Sequence, residues 1–228
     1  MPSDLTLYDI TGGNTAHLAD LTSLFTQLFP QYAHRAYRLE IKAKRAADFN
    51  PRFIEHQFLA VYQEQPAGFV TFKYAPQRNL GLGIYLGVLP AFRSLRIDGS
   101  TRLSHYLIRA SNEQLANDAQ HCGNTPPEGY VVEVEEPKLV ERYGSYGFFL
   151  LPVAYQEPLL EETASKEAIT LAEGTFRPAA LGFFPARPEG FDPAQPDLLR
   201  RAVLLCLVDH YGLAKDHWAV RQALNSII

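Results

Sequence analysis

Residues 5–10 alternate apolar and polar side chains, which predicts a strand at a sheet edge. Behind it, Leu18, Leu21, Leu24, Phe25 and Leu28 recur at helical spacing, with Asn14 or Thr15 placed to cap the helix and Pro30 to stop it. Residues 31–49 read as a second helix, basic and aromatic. Three strand-like runs follow at 57–63, 66–75 and 82–90, the first two joined as a hairpin whose turn chemistry is Pro66 and Gly68. Residues 100–118 predict a long helix with Leu103, Tyr106, Leu107 and Ala110 on one face. Then come a strand (129–137), a short helix running into another strand (137–156), a polar loop (157–168) and a further strand (169–184). Four prolines between 185 and 197 mark a linker before two terminal helices, 197–212 and 215–227. Leu198, Leu199, Ala202, Leu205, Cys206 and Asp209 form an apolar face on the first of these, which must be buried.

The order of elements predicts an α/β (α+β) chain: a mixed, mostly antiparallel sheet flanked by helices, with helices at the C-terminal end. Composition narrows the function classes. Hydrophobic residues are 46%, ordinary for a globular chain that buries its own core. A net charge of −4 argues against nucleic acid as a partner. No apolar run is long enough to cross a bilayer, so a cytoplasmic protein without membrane contact is expected. The two cysteines, Cys122 and Cys206, lack metal-ligand spacing, and so do Asp209, His210 and His217; no metal is expected.

Chemistry enters at 88–103, where an apolar strand ends in a basic, polar turn before a helix. A helix N-terminus offers unpaired N–H groups and partial positive charge, a seat for phosphates. Ser94, Gly99 and Ser100 are small enough for close backbone approach, and Arg96 could pair with a phosphate directly. Asp98 must point away or act as a cap. A plain structural turn with solvated arginines is the other reading. A second stretch, 129–135, carries two acids on one strand face: Glu133 and Glu135 alternate with Val132 and Val134. A carboxylate there could relay a proton through water; a strand end reaching solvent, or an ion pair with Arg35, Arg38 or Arg142, is the alternative. Glu133 lies deeper in the strand. Tyr32, His34, Arg35, Tyr37 and Arg38 read by themselves as a solvated helix face.

Two of these stretches resemble the GNAT acyltransferase superfamily over roughly residues 5–185. Val88, Pro90 and Arg93 match its strand, proline and Arg/Gln-x-x-Gly-x-Gly/Ala turn; Arg96 and Asp98 stand at the glycine positions, and one extra residue brings Gly99 to the second. Tyr143, Gly147 and Phe148 match a second family segment, in which Glu136, Leu139 and Arg142 replace its Asn, Ala and Leu. The resemblance implies an acyltransferase domain at 1–185 with an extension at 186–228. It implies acetyl-coenzyme A as co-substrate, held by Leu86, Val88, Arg93, Ser94, Arg96, Gly99 and Ser100, with the Val88 N–H stabilising the thioester oxygen. It also implies Tyr143 as the acid that protonates the leaving thiolate. The expected acceptor is a small-molecule or peptide amine, with Glu133 on its side, and the chain is a monomer or homodimer. An acceptor pocket shaped by Tyr32, His34, Arg35, Tyr37 and Arg38 is likewise what the resemblance implies for them. With no cysteine at a nucleophile position, direct transfer is expected. A noncatalytic module that binds acyl-coenzyme A or a protein partner is the alternative.

Overall fold

Gln63 and Glu64, with φ of 48° and 63°, join two antiparallel strands by a two-residue turn. Left-handed backbone at both central positions gives the turn a twist that matches its strands. The expected turn at Pro66 and Gly68 is therefore corrected. Both residues lie inside the second strand, where Ala67 is the extra residue of a bulge opposite the Ala60/Val61 step. The structure is a computed structural model; it describes residues 4–45, 52–134, 140, 143–144, 146–159 and 175–228. The chain divides into two compact units, Met1–Pro127 and Glu128–Ile228.

In the first unit, β1 (Leu5–Asp9), β2 (Ile54–Tyr62), β3 (Gln65–Ala75) and β4 (Leu80–Val88) pair in that order, each antiparallel to the next. Helix α1 (Leu18–Leu28) falls where the apolar spacing placed it, but its N-cap is His17 in the left-handed region. Asn14 instead receives the Ala16 N–H on its side-chain oxygen and donates to the Asp9 carbonyl at 2.6 Å. The expected second helix is shorter: Pro30 opens a 3₁₀ turn, Pro30–Arg35, before α2 (Ala36–Lys44). Leu21, Leu24 and Phe25 of α1 and Leu39 and Ala43 of α2 bury against Leu59, Val61 and Phe69. Each large side chain so buried contributes about 1.5–3 kcal/mol. The pleat sends His56 and Phe58 to the opposite face of β2 from Leu59, where His56 meets Asp118 of α3 (Leu103–His121).

In the second unit, β9 (Ala180–Pro185) lies between β5 (Gly129–Val134) and β6 (Phe149–Leu150), antiparallel to both. The Phe148 ring covers Gly182 so closely that any Cβ there would fall inside it. The strand expected to run through to 156 breaks after Leu150 at Pro152. Its continuation, β7 (Gln156–Pro158), pairs separately with β8 (Phe176–Pro178). The segment 186–228 lies within this unit. Pro196 opens α4 (Pro196–Val203), a π-helical run Leu204–His210 follows, and α5 (Trp218–Asn225) ends the fold. Leu198, Leu199, Ala202, Val203, Leu205, Cys206 and Leu207 are buried, which accounts for the apolar face. Among the described residues, no helix is long and apolar enough to cross a membrane.

Candidate functional site

β4 sets the direction of its amides. Gly87 faces Phe69 and Val88 faces Gly68, and the Leu89 N–H donates to the Ala67 carbonyl at 3.0 Å. In an antiparallel ladder, bonding toward one neighbour alternates along the strand. The N–H groups of Leu86 and Val88 therefore point away from β3. A second bulge, with Ile84 extra opposite the Thr71/Phe72 step, precedes them. Beyond Val88, Pro90–Phe92 make a 3₁₀ turn, and the exposed Arg93 folds back to donate to the Val88 carbonyl at 3.3 Å.

The turn that follows is built around Asp98. Its Oδ1 accepts the backbone N–H of Ser100 at 3.0 Å and of Thr101 at 2.6 Å; both hydroxyls add bonds of 2.9 Å. The Thr101 N–H and the Ser100 hydroxyl lead the set of donors that holds this carboxyl far below its ordinary range. Gly99, at φ 80°, allows the reversal. Arg96 donates to the Ser100 carbonyl at 2.7 Å, and the Ile97 N–H donates to Thr101 at 2.8 Å. Helix α3 starts at Leu103, three residues later than expected, with Arg102 as its N-cap. Ser94, Arg96, Gly99 and Ser100 thus share one exposed loop, and the anion seated on the Ser100 amide is the chain's own carboxylate. The Arg93 and Arg96 side chains at this turn are themselves turned onto backbone carbonyls, of Val88 and Ser100. Burial, with Arg102 and Arg96 nearby, pushes His105 below its ordinary value.

Glu133 lies on β5 in the second unit, half-buried. Its Oε1 accepts the Tyr155 hydroxyl, and its Oε2 accepts the Tyr211 hydroxyl at 2.7 Å. Burial first, and then the Glu133 charge, pushes both tyrosines well above their ordinary value. Tyr211 also lies 3.4 Å from Glu157 Oε1, and Arg177 clasps Glu157 Oε2 at 2.8 and 2.9 Å. Tyr143 sits among aromatic rings, 5.6 Å from Phe148 and 5.9 Å from Phe184 between centroids. Glu135, Glu136, Leu139 and Arg142 lie outside the described residues. Of the acceptor-side set, Tyr32 packs on the core and carries the Arg35 guanidinium 4.6 Å over its ring; His34, Tyr37 and Arg38 are exposed.

A third cluster had no signal in the sequence. His56 Nδ1 lies 2.6 Å from Asp9 Oδ2, and its Nε2 lies 3.0 Å from Asp118 Oδ2. Burial works against the charged ring, yet the bonds to Asp118 and Asp9 outweigh it and raise His56 to about 9. Burial likewise opposes Asp9, but His56 brings it below its ordinary value. Among the described residues, no group of three or more His, Cys, Asp and Glu side chains could hold a metal.

No family model matches this sequence, and no curated protein does. Several solved structures of acetyltransferases are similar to it. A protein assigned as a streptothricin acetyltransferase from Bacillus anthracis, in complex with acetyl coenzyme A, is 17% identical over 64% of this chain and 66% of its own, slightly under two thirds of its length, with a TM-score of 0.38. Tetrahymena GCN5 is 13% identical over 81% and 96%, with a TM-score of 0.46. A chimera of the spermidine N-acetyltransferase SpeG from Vibrio cholerae and hSSAT is 15% identical over 81% and 96%, with a TM-score of 0.47. At these identities and TM-scores, the likeness alone carries nothing about what this chain binds or does.

Proposed function

We propose that the protein is a GNAT-like acyltransferase that moves an acetyl or other acyl group from acyl-coenzyme A to an amine. The observation that carries this reading is the strand-to-turn geometry at Val88. Its N–H points away from β3 just before an arginine-bearing turn and a long helix, in a stretch that resembles the family's donor site. In this reading the acceptor amine attacks the thioester carbonyl. The C–N bond forms as the C–S bond breaks, and the Val88 N–H takes up the charge that develops on oxygen. The amine's proton passes to Glu133, directly or through water, and the Tyr143 hydroxyl supplies a proton to the leaving thiolate. Solvent then resets both groups. Leu86, Arg93, Ser94, Arg96, Gly99 and Ser100 would hold the donor, and no metal is needed for any step.

The Asp98 carboxylate on the Ser100 and Thr101 amides favours a second reading, a noncatalytic module that has kept the fold without strong donor binding. Thiol release from acetyl-coenzyme A, against a panel of amines, polyamines, amino acids and peptides, decides between them; absence of release with every acceptor rejects the enzyme. Asp98 also makes a separate test. An exposed carboxylate that competes with a phosphate for the same donors should weaken coenzyme A binding. Asp98→Ala is expected to tighten it by roughly tenfold, the scale of one charge-assisted hydrogen bond. Calorimetry that finds equal or weaker binding in the variant removes Asp98 from the donor site.

A further inference from the structure

We propose that Tyr211, from the C-terminal segment, is a positioning residue for Glu133 and shares its single hydroxyl proton between two carboxylates. The inference rests on the reading of Glu133 as the acceptor-side group. Three stretches far apart in the chain converge on this carboxylate: β5 supplies Glu133, the segment before β7 supplies Tyr155, and the end of the π-helical run supplies Tyr211.

The π-helical run is a second, independent observation. Across Leu204–His210 the backbone opens to longer bonds, ending with the Tyr211 N–H donating to the Cys206 carbonyl five residues back, at 3.0 Å. An α-helix turns by about 100° per residue, so widening a turn by one residue re-aims every side chain after it by about that angle. This geometry is rare, occurs mostly as single-turn bulges inside α-helices, and is frequent at functional sites. Here it directs the Tyr211 hydroxyl back onto β5.

Tyr211 has one proton to donate and two acceptors in reach. Glu133 Oε2 holds it at 2.7 Å, and Glu157 Oε1 waits at 3.4 Å. Glu157 is fixed in place by Arg177, while Tyr155, almost fully buried, holds the other oxygen of Glu133. A small rotation of the phenol therefore transfers the bond from Glu133 to Glu157 without leaving either tyrosine or carboxylate stranded. Glu133 Oε2 is then available to accept an N–H of the incoming amine, with the carboxylate still oriented by Tyr155. The acceptor fitted to this arrangement carries a primary or secondary amine with a hydrogen to donate.

Tyr211→Phe removes the hydroxyl and keeps the ring. It is expected to lower kcat/KM for the amine by roughly ten- to a hundredfold, to shift the acidic limb of its pH profile and to leave the KM for acyl-coenzyme A unchanged. A variant with the wild-type pH profile and amine kcat/KM overturns the inference. If the wild-type protein releases no thiol with any acceptor, the acyltransferase reading fails first, and the sharing is read without turnover. With tyrosine labelled at ring Cζ, the Tyr211 resonance of the folded protein should shift in Glu133→Gln and also in Glu157→Gln, because the hydroxyl reaches both carboxylates. A Tyr211 resonance that moves in neither variant, or only in Glu133→Gln, overturns the sharing.

Discussion

Replacing His56 with alanine is expected to destabilise the first unit by about 3–5 kcal/mol, because it strands two carboxylates that the imidazolium now joins. Asp118 is nearly buried, receives the Gln114 amide on its other oxygen at 2.8 Å and has His56 as a charged partner. Asp9 is anchored as well, by the Thr11 hydroxyl at 2.8 Å and the Gln57 N–H at 3.2 Å. The ring itself lies 5.1 Å from Phe72, stacked on it. The cluster thus ties β1, β2 and α3 through one charge. Its pH dependence follows from the direction of each shift. His56 is raised from 6.5 to about 9, so its contribution is complete below pH 6.5 and is lost as pH rises through 9. Asp9 is lowered from 3.8, so its contribution is present above that value and is lost as pH falls below it. Denaturant unfolding of the wild type should show this support between about pH 4 and 6.5, with a decline toward pH 9 that His56→Ala lacks. An alanine variant as stable as the wild type at pH 6, or one with the same alkaline decline, would show that the triad is not what holds these elements.

Removing residues 190–228 is expected to leave the second unit unable to fold. Seven side chains buried between Leu198 and Leu207 go with the segment. At about 1.5–3 kcal/mol for each large one, the loss rivals the roughly 5–15 kcal/mol that holds a whole domain. Polar anchors are lost too: Arg201 pairs with Glu128 at 3.0 Å, and the Ser226 hydroxyl receives the Ala154 N–H at 2.9 Å. The truncated chain should aggregate or bind a hydrophobic dye. A soluble, monomeric product that melts at the wild-type temperature would show that the segment is dispensable.

Apolar periodicity made much of this architecture legible. Leu21, Leu24 and Phe25 announced α1, and Leu198 to Cys206 announced a buried terminal helix, because burial is what selects such spacing. The same spacing could not separate α from π geometry after Val203, since one widened turn leaves the apolar residues buried either way. The turn at Gln63 and Glu64 was hidden because neither residue is a glycine or asparagine, the usual marks of left-handed backbone. At the site, Val88 and Arg93 stood out through a resemblance, but the role of Asp98 depends on where its oxygens point. Tyr155 and Tyr211 are two of 12 tyrosines, and Asp9, His56 and Asp118 lie in three separate elements. Only folding brings such groups together, so no local spacing records them.

The place of β9 between β5 and β6 also bears on how the chain reaches its fold. In the first unit each strand meets the one made just before it, as where Tyr62 opposes Gln65 across two residues. In the second, Val131 opposes Phe183, and the same β9 residue opposes Phe149. Closing a longer loop costs about 0.6 kcal/mol more for each doubling of its length, and distant pairings slow folding. During synthesis β5 must therefore wait, its bonding edge exposed, until β9 has left the ribosome. Pulsed hydrogen exchange during refolding should find the Phe58 and Phe69 amides protected before those of Val131 and Phe183; the reverse order would mean that the distant pairing forms first.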